Sequence, residues 1–303
     1  MKMKKILAGI LLILAGYALG VMSPQNRLFP IHQIKKIFHQ DKIAANATKP
    51  EEQHEEKAMT LEDFNNQDYT VIFTFGQSNS ANYGQTKYDC QEEVYNWYDG
   101  QIYKARDPLK GASADNGSVW TRLADQLINR GIAKKIIIVP LGIGSTTVSQ
   151  WSSQGEHHHL ITKTLMDLKA RDIQIDYILW HQGESDNLFN TAYDSYILDF
   201  EDIRNTFRNN GVHAPILMAI ATYHPNENAL KNKQLGCDEI IQKAQKKLIE
   251  KYSDVYAGAN TDLLDNCYDR HDGVHFSVLG LEKHAELWLE SLKALGLTGS
   301  PAQ

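Results

Sequence analysis

Tyr69-Thr70-Val71-Ile72-Phe73-Thr74-Phe75 leads without interruption into Gly76-Gln77-Ser78-Asn79-Ser80. β-Branched and aromatic residues make the first part a strand, and the glycine ends it. Working outward, Lys135 to Leu141 (KIIIVPL) is almost entirely apolar, as expected of a strand covered on both faces. Ile175 to Trp180, Ile216 to Thr222 and Val255 to Ala257 read as three more strands. Helical apolar spacing falls between them, over Val119–Asn129, His159–Arg171, Tyr193–Asn209 and Asp238–Lys251, and a last helix covers Val278–Leu295. This alternation predicts a three-layer α/β/α sandwich around a mainly parallel five-stranded sheet. In such sheets the ligand site lies beyond the carboxyl ends of the strands.

Composition narrows the function classes. The chain has 303 residues with a formal net charge of -6, so it offers no basic footprint for nucleic acid. An apolar fraction of 42% is too high for a disordered chain. Residues 1–22 combine three lysines with the uncharged 17-residue run Ile6–Met22, which predicts a signal peptide or a membrane anchor. By the positive-inside rule the remainder is then extracytoplasmic, and an uncleaved segment would make the membrane a partner. Residues 23–66 read as a linker, leaving 67–303 as a single domain of catalytic size. Three cysteines, Cys90, Cys237 and Cys267, permit at most one internal bridge. Cys237–Cys267 is the favoured pair, with three unpaired thiols the alternative.

Four loops carry residue types that serve chemistry. They are Gly76-Gln77-Ser78-Asn79, Gly142-Ile143-Gly144-Ser145-Thr146, His181-Gln182-Gly183-Glu184-Ser185-Asp186, and His271-Asp272-Gly273-Val274-His275. A serine esterase needs a hydroxyl at a strand end, a base, a carboxylate holding that base, and donors facing an oxyanion. Ser78 supplies the hydroxyl, and its own N–H faces the oxyanion. Asp272 and His275, three apart in one turn, supply carboxylate and base. Gly144 allows a backbone N–H to approach without a Cβ, and the Gln182 amide is a further donor. Asn79, Trp151 and Glu184 are candidate substrate contacts, as are Tyr83 and Tyr88. Glu184 and Asp186 are candidates for a second carboxylate pair in acid–base work, with bracing of the Gln182 loop by hydrogen bonds the alternative. Asn79 and Gln77 have that of capping the Ser78 turn or bracing the Asp272 loop. His157, His158 and His159 are consecutive and cannot converge on one metal. Gly142-x-Gly144 lacks the third glycine of a dinucleotide fingerprint, that position being Thr147. No cofactor is expected.

These blocks resemble those of the SGNH hydrolases, and more closely the sialate O-acetylesterase-like branch with its carbohydrate acetylesterases. The resemblance covers roughly residues 68 to 295. It implies a flavodoxin-like fold, Ser78 as nucleophile, His275 as base, Asp272 as its partner, and an oxyanion hole of Ser78, Gly144 and Gln182. The third block reads Gln-Gly-Glu where the wider superfamily carries an asparagine donor, and the resemblance assigns that role to Gln182. In the second block, Gly144 and the Ser145 N–H remain alternative donors. The implied activity is removal of O-acetyl groups from carbohydrates. The alternatives are a lipid or thioester hydrolase on the same fold, and a membrane-tethered, non-catalytic carbohydrate-binding protein.

Overall fold

The computed structural model describes residues 69–225 and 236–296. The apolar run at residues 1–22, the tether at 23–66, and the export and anchoring read from them lie outside these residues. No helix among the described residues is long and apolar enough to cross a membrane.

The strands are β1 (Thr70–Gly76), β2 (Val94–Tyr98), β3 (Gln101–Lys104), β4 (Ile136–Pro140), β5 (Tyr177–His181), β6 (Ile216–Ile220) and β7 (Val255–Asn260). The helices are α1 (Val119–Asn129), α2 (His158–Lys169), α3 (Glu184–Phe189), α4 (Tyr193–Asn209), α5 (Glu239–Lys251) and α6 (Val278–Ala294). They form one sheet in the order β3-β2-β4-β1-β5-β6-β7, parallel except for the β2–β3 pair. The sheet thus has seven strands rather than five. The added pair is a hairpin whose turn is Asp99-Gly100, both at positive φ (46° and 76°), the conformation of a type I′ turn.

Strand alternation divides the core. Val71, Phe73 and Phe75 of β1 pack toward Leu165 of α2, Phe200 and Phe207 of α4 and Leu248 of α5. Ile72 points the other way, into a cluster with Leu123 of α1 and Trp288 and Leu292 of α6. Helices therefore cover both faces, which is why the central strands carry apolar residues at consecutive positions. The three-layer sandwich is the expected one.

Without the hairpin strands, the order β4-β1-β5-β6-β7 is the flavodoxin-like 2-1-3-4-5 pattern. The chain leaves β1 toward one side of the sheet and later returns to β5 on the other. The carboxyl ends of β1 and β5 thus flank the switch point where this topology opens a crevice.

Candidate active site

Gly76 ends β1 at φ +132°, opposite His181 of β5. A Cβ there would lie 2.0 Å from the His181 carbonyl oxygen, so only glycine fits the approach. Ser78–Ser80 then forms a single 3-10 turn, shorter than the helix-like stretch expected. Ser80 and Ala81 donate back to Gln77 and Ser78, both at 2.9 Å. The leading N–H groups of such a turn, here those of Ser78 and Asn79, have no acceptor within it. The Trp120 indole N–H of α1 donates to the Ser80 carbonyl at 2.8 Å and fixes the turn from below.

The second loop is stitched to the end of β1, because Ile143 N–H donates to the Gly76 carbonyl at 2.9 Å. A Cβ on Gly144 would sit 2.3 Å from the Tyr83 hydroxyl. The Gly144 N–H donates to the Ser113 hydroxyl at 2.9 Å. Ser145, the alternative donor position, adopts the left-handed region at φ 62°.

The fourth loop builds the histidine and its carboxylate. Asp272 Oδ1 accepts the N–H groups of Val274 (2.9 Å) and His275 (2.7 Å), the hydrogen-bonded turn that aspartate favours. Its Oδ2 lies 2.6 Å from His275 Nδ1. Burial alone would raise the Asp272 carboxyl, but these donors outweigh it and hold the carboxyl at about 2. An ionised Asp272 keeps a proton on Nδ1, leaving Nε2 as the basic nitrogen. The Tyr83 ring stacks on His275, with centroids 5.0 Å apart and planes inclined by 23°. Arg270, buried between Tyr223 and Phe276, donates to the carbonyls of Leu264, Thr261 and Val274 and locks the base of the loop.

The nucleophile turn and the histidine loop meet through Asn79, whose Nδ2 donates to the Val274 carbonyl at 3.3 Å and to Glu184 Oε1 at 2.8 Å. Ser78, Asp272, His275 and Gly144 thus belong to loops that converge at one end of the sheet.

Other candidates fall elsewhere. Gln182 is fully buried and its Nε2 donates to the Thr146 carbonyl at 3.0 Å and to Asp186 Oδ2. A primary amide has two hydrogens, and both are engaged. Gln182 in this rotamer therefore braces the second loop against the third instead of facing an oxyanion. Trp151 is wholly buried between Phe75 and Trp180, with its N–H on Thr146, and so cannot stack on a sugar. Glu184, also fully buried, and Asn79, 6% exposed, bond inward to protein partners rather than toward a substrate. Tyr88 is turned to Asp125 at 2.9 Å. Asp186 does the bracing expected of it, accepting Val148 N–H at 3.0 Å as well as Gln182. Burial raises its carboxyl to about 6. Gln77 Oε1 accepts the N–H groups of Gly183 (3.2 Å) and Ser185 (2.9 Å), so it braces the third loop and not the fourth. All three cysteines are free thiols.

Sequence reading missed Ser113 and the layer beneath Asn79. In that layer His181 Nε2 lies 3.1 Å from Glu184 Oε1, His284 Nε2 lies 3.1 Å from His181 Nδ1, and the Trp288 indole N–H donates to His284 Nε2 at 2.9 Å. The only sequence signal was a histidine at a strand end and another on the apolar face of α6.

The fold is shared with proteins of known structure. The solved structure of an Arabidopsis thaliana protein superposes with a TM-score of 0.58 at 19% identity, over 76% of this chain and 98% of the other. NanS gives a TM-score of 0.51 at 13% identity, over 77% and 99%. A putative GDSL-like lipase from Parabacteroides merdae gives 0.50 at 17%, over 76% and 96%. These likenesses establish the SGNH-type fold. None of the curated protein sequences matches this chain. A family profile described as carbohydrate esterase, sialic acid-specific acetylesterase, matches residues 68–290. With that match spanning most of its length, the chain belongs to the sialic acid-specific acetylesterase family of carbohydrate esterases.

Proposed function

We propose that the protein is a serine esterase that removes O-acetyl groups from carbohydrates through an acetyl-enzyme. The observation that carries this reading is the Asp272–His275 pair, oriented at 2.6 Å and tied to the Ser78 turn through Asn79 and Val274. Ser78 Oγ attacks the acetyl carbonyl while His275 Nε2 takes its proton. Asp272 holds the imidazole and stabilises the imidazolium that forms. The tetrahedral oxyanion is met by the Ser78 N–H and by the Gly144 N–H, from which the Ser113 hydroxyl rotates away. His275 then gives the proton to the departing sugar oxygen. Water, deprotonated by the same nitrogen, attacks the acetyl carbonyl, and Ser78 is regenerated as acetate leaves. Gln182, with its amide engaged, acts by holding the second and third loops together. Residues 67–303 form the catalytic unit, and the N-terminal residues carry it out of the cytoplasm.

The test is acetate release from a panel of O-acetylated glycans by the full chain, with Ser78→Ala as control. Turnover by wild type alone supports the reading. Equal rates from both proteins end it. Preference for octanoyl over acetyl esters identifies a lipid or thioester hydrolase, and glycan binding without turnover a binding protein.

A further inference from the structure

Beneath the Ser78 turn lies a line of buried polar groups that no catalytic step uses. A Trp indole nitrogen is a donor only, so His284 Nε2 must accept from Trp288. Burial holds His284 well below its ordinary value, hence neutral, with its proton on Nδ1. The same Nε2 faces His181 Nδ1 at 3.1 Å, and two lone pairs would repel, so His181 Nδ1 carries a proton. The other nitrogen of His181 faces Glu184 Oε1 at 3.1 Å, and that oxygen also accepts from Asn79 at 2.8 Å. One carboxylate oxygen therefore serves two donors. The titratable groups around it are His181, the Arg270 guanidinium and His224, the last held below its ordinary value by burial. Burial would raise the Glu184 carboxyl, but the His181 charge and the two hydrogen bonds hold it below its ordinary value.

We propose that Glu184 is a positioning residue: held by His181, it fixes the Asn79 amide, and Asn79 fixes the Val274 carbonyl and the loop that presents His275. The inference rests on the reading of Ser78 and His275 as nucleophile and base. The Asn79 amide has one job on each side, and a free amide rotates to other partners. Glutamine at position 184 cannot replace the carboxylate. With its oxygen toward the pair, the neutral amide is a weaker acceptor than the carboxylate, and both hydrogen bonds to it weaken. Turning the glutamine to donate to His181 sets its NH₂ against that of Asn79. Both contacts weaken in the first orientation, and one is lost in the second.

The experiment compares full-length wild type, Ser78→Ala, Glu184→Gln, Asn79→Ala and the Asn79→Ala/Glu184→Gln double variant on an aryl acetate, with thermal unfolding of each. Displacing the base by a fraction of an ångström is expected to lower kcat about 10- to 100-fold in Glu184→Gln, with KM within about twofold of wild type. Because Glu184 acts through Asn79, the double variant should be no slower than Asn79→Ala alone. A wild-type kcat in Glu184→Gln or in Asn79→Ala overturns the proposal, and so do losses that multiply in the double variant. Should Glu184→Gln not fold, Asn79→Ala alone decides. Wild-type turnover by Ser78→Ala instead overturns the underlying reading, and the proposal with it. An inactive Ser78→Ala beside a fully active Glu184→Gln rejects the positioning role alone.

Discussion

The Asn79 side chain donates to the main-chain oxygen of Val274, a residue 195 positions away, at 3.3 Å. This contact, together with the stacking of Tyr83 on His275, joins the first loop of the sheet to the last.

Replacing Asn79 by aspartate should be worse than replacing it by alanine. The new carboxylate would face Glu184 Oε1 across the 2.8 Å now spanned by an N–H, and two adjacent carboxylates cannot both ionise cheaply. It would also turn an acceptor toward the Val274 carbonyl. Steady-state kinetics should show kcat for Asn79→Asp below that for Asn79→Ala, with the gap widening as pH rises.

Gly144→Ala should lower activity by displacing a neighbour. The added methyl would come within 2.3 Å of the Tyr83 hydroxyl and force the ring off His275. A loss of one oxyanion donor costs about 10²–10³ in kcat, and a comparable drop is expected here. The Gly144→Ala/Tyr83→Ala pair removes the clash, so recovery of part of the lost kcat would show that the damage runs through the tyrosine.

Acid should weaken the fold through Asp272. Its folded carboxyl titrates at about 2, against 3.8 in a free chain. A depressed carboxyl contributes stability that is complete above the unfolded value and fades as pH drops from about 4 to about 2. Asp272→Asn lacks this contribution at every pH. Thermal midpoints should therefore fall more steeply for wild type than for the variant over that interval, and parallel curves would contradict the assignment.

Two glycines at positive φ separate strain from collision. Gly131 (φ 69°) has no atom within 4 Å of a Cβ position, so alanine there should cost only the left-handed penalty of about 1–2 kcal/mol. At Gly76 the same change adds a contact of 2.0 Å with the His181 carbonyl. Denaturant unfolding should find Gly76→Ala less stable than Gly131→Ala by several kcal/mol, or unable to fold.

The regular elements were legible because their signals are local. Val119–Asn129 and Tyr193–Asn209 occupy the predicted residues, and the five predicted strands lie within a few residues of their expected bounds. The β2–β3 hairpin escaped although Asp99-Gly100 between two aromatic-rich runs was a sufficient sign of it. Long-range polar partners leave no such trace. Whether Gln182 faces an oxyanion or Thr146 depends on a carbonyl 36 residues away, and no spacing rule relates His181 to His284, 103 residues apart. Trp151 shows the same limit for an apolar residue, since a tryptophan following a glycine loop fits a binding cleft and a core equally well. Packing by Phe75 and Trp180 decided it.

The pairing of the two ends of the fold has a consequence for biosynthesis. Trp120 of α1 rests against Trp288 of α6, so the support under the first loop is supplied by the last helix of the described residues. Contacts of such long sequence separation close late during folding. A ribosome-bound or truncated chain lacking α6 would hold Ser78 on a turn without this support, and the proposed hydrolysis would begin only once that helix is in place.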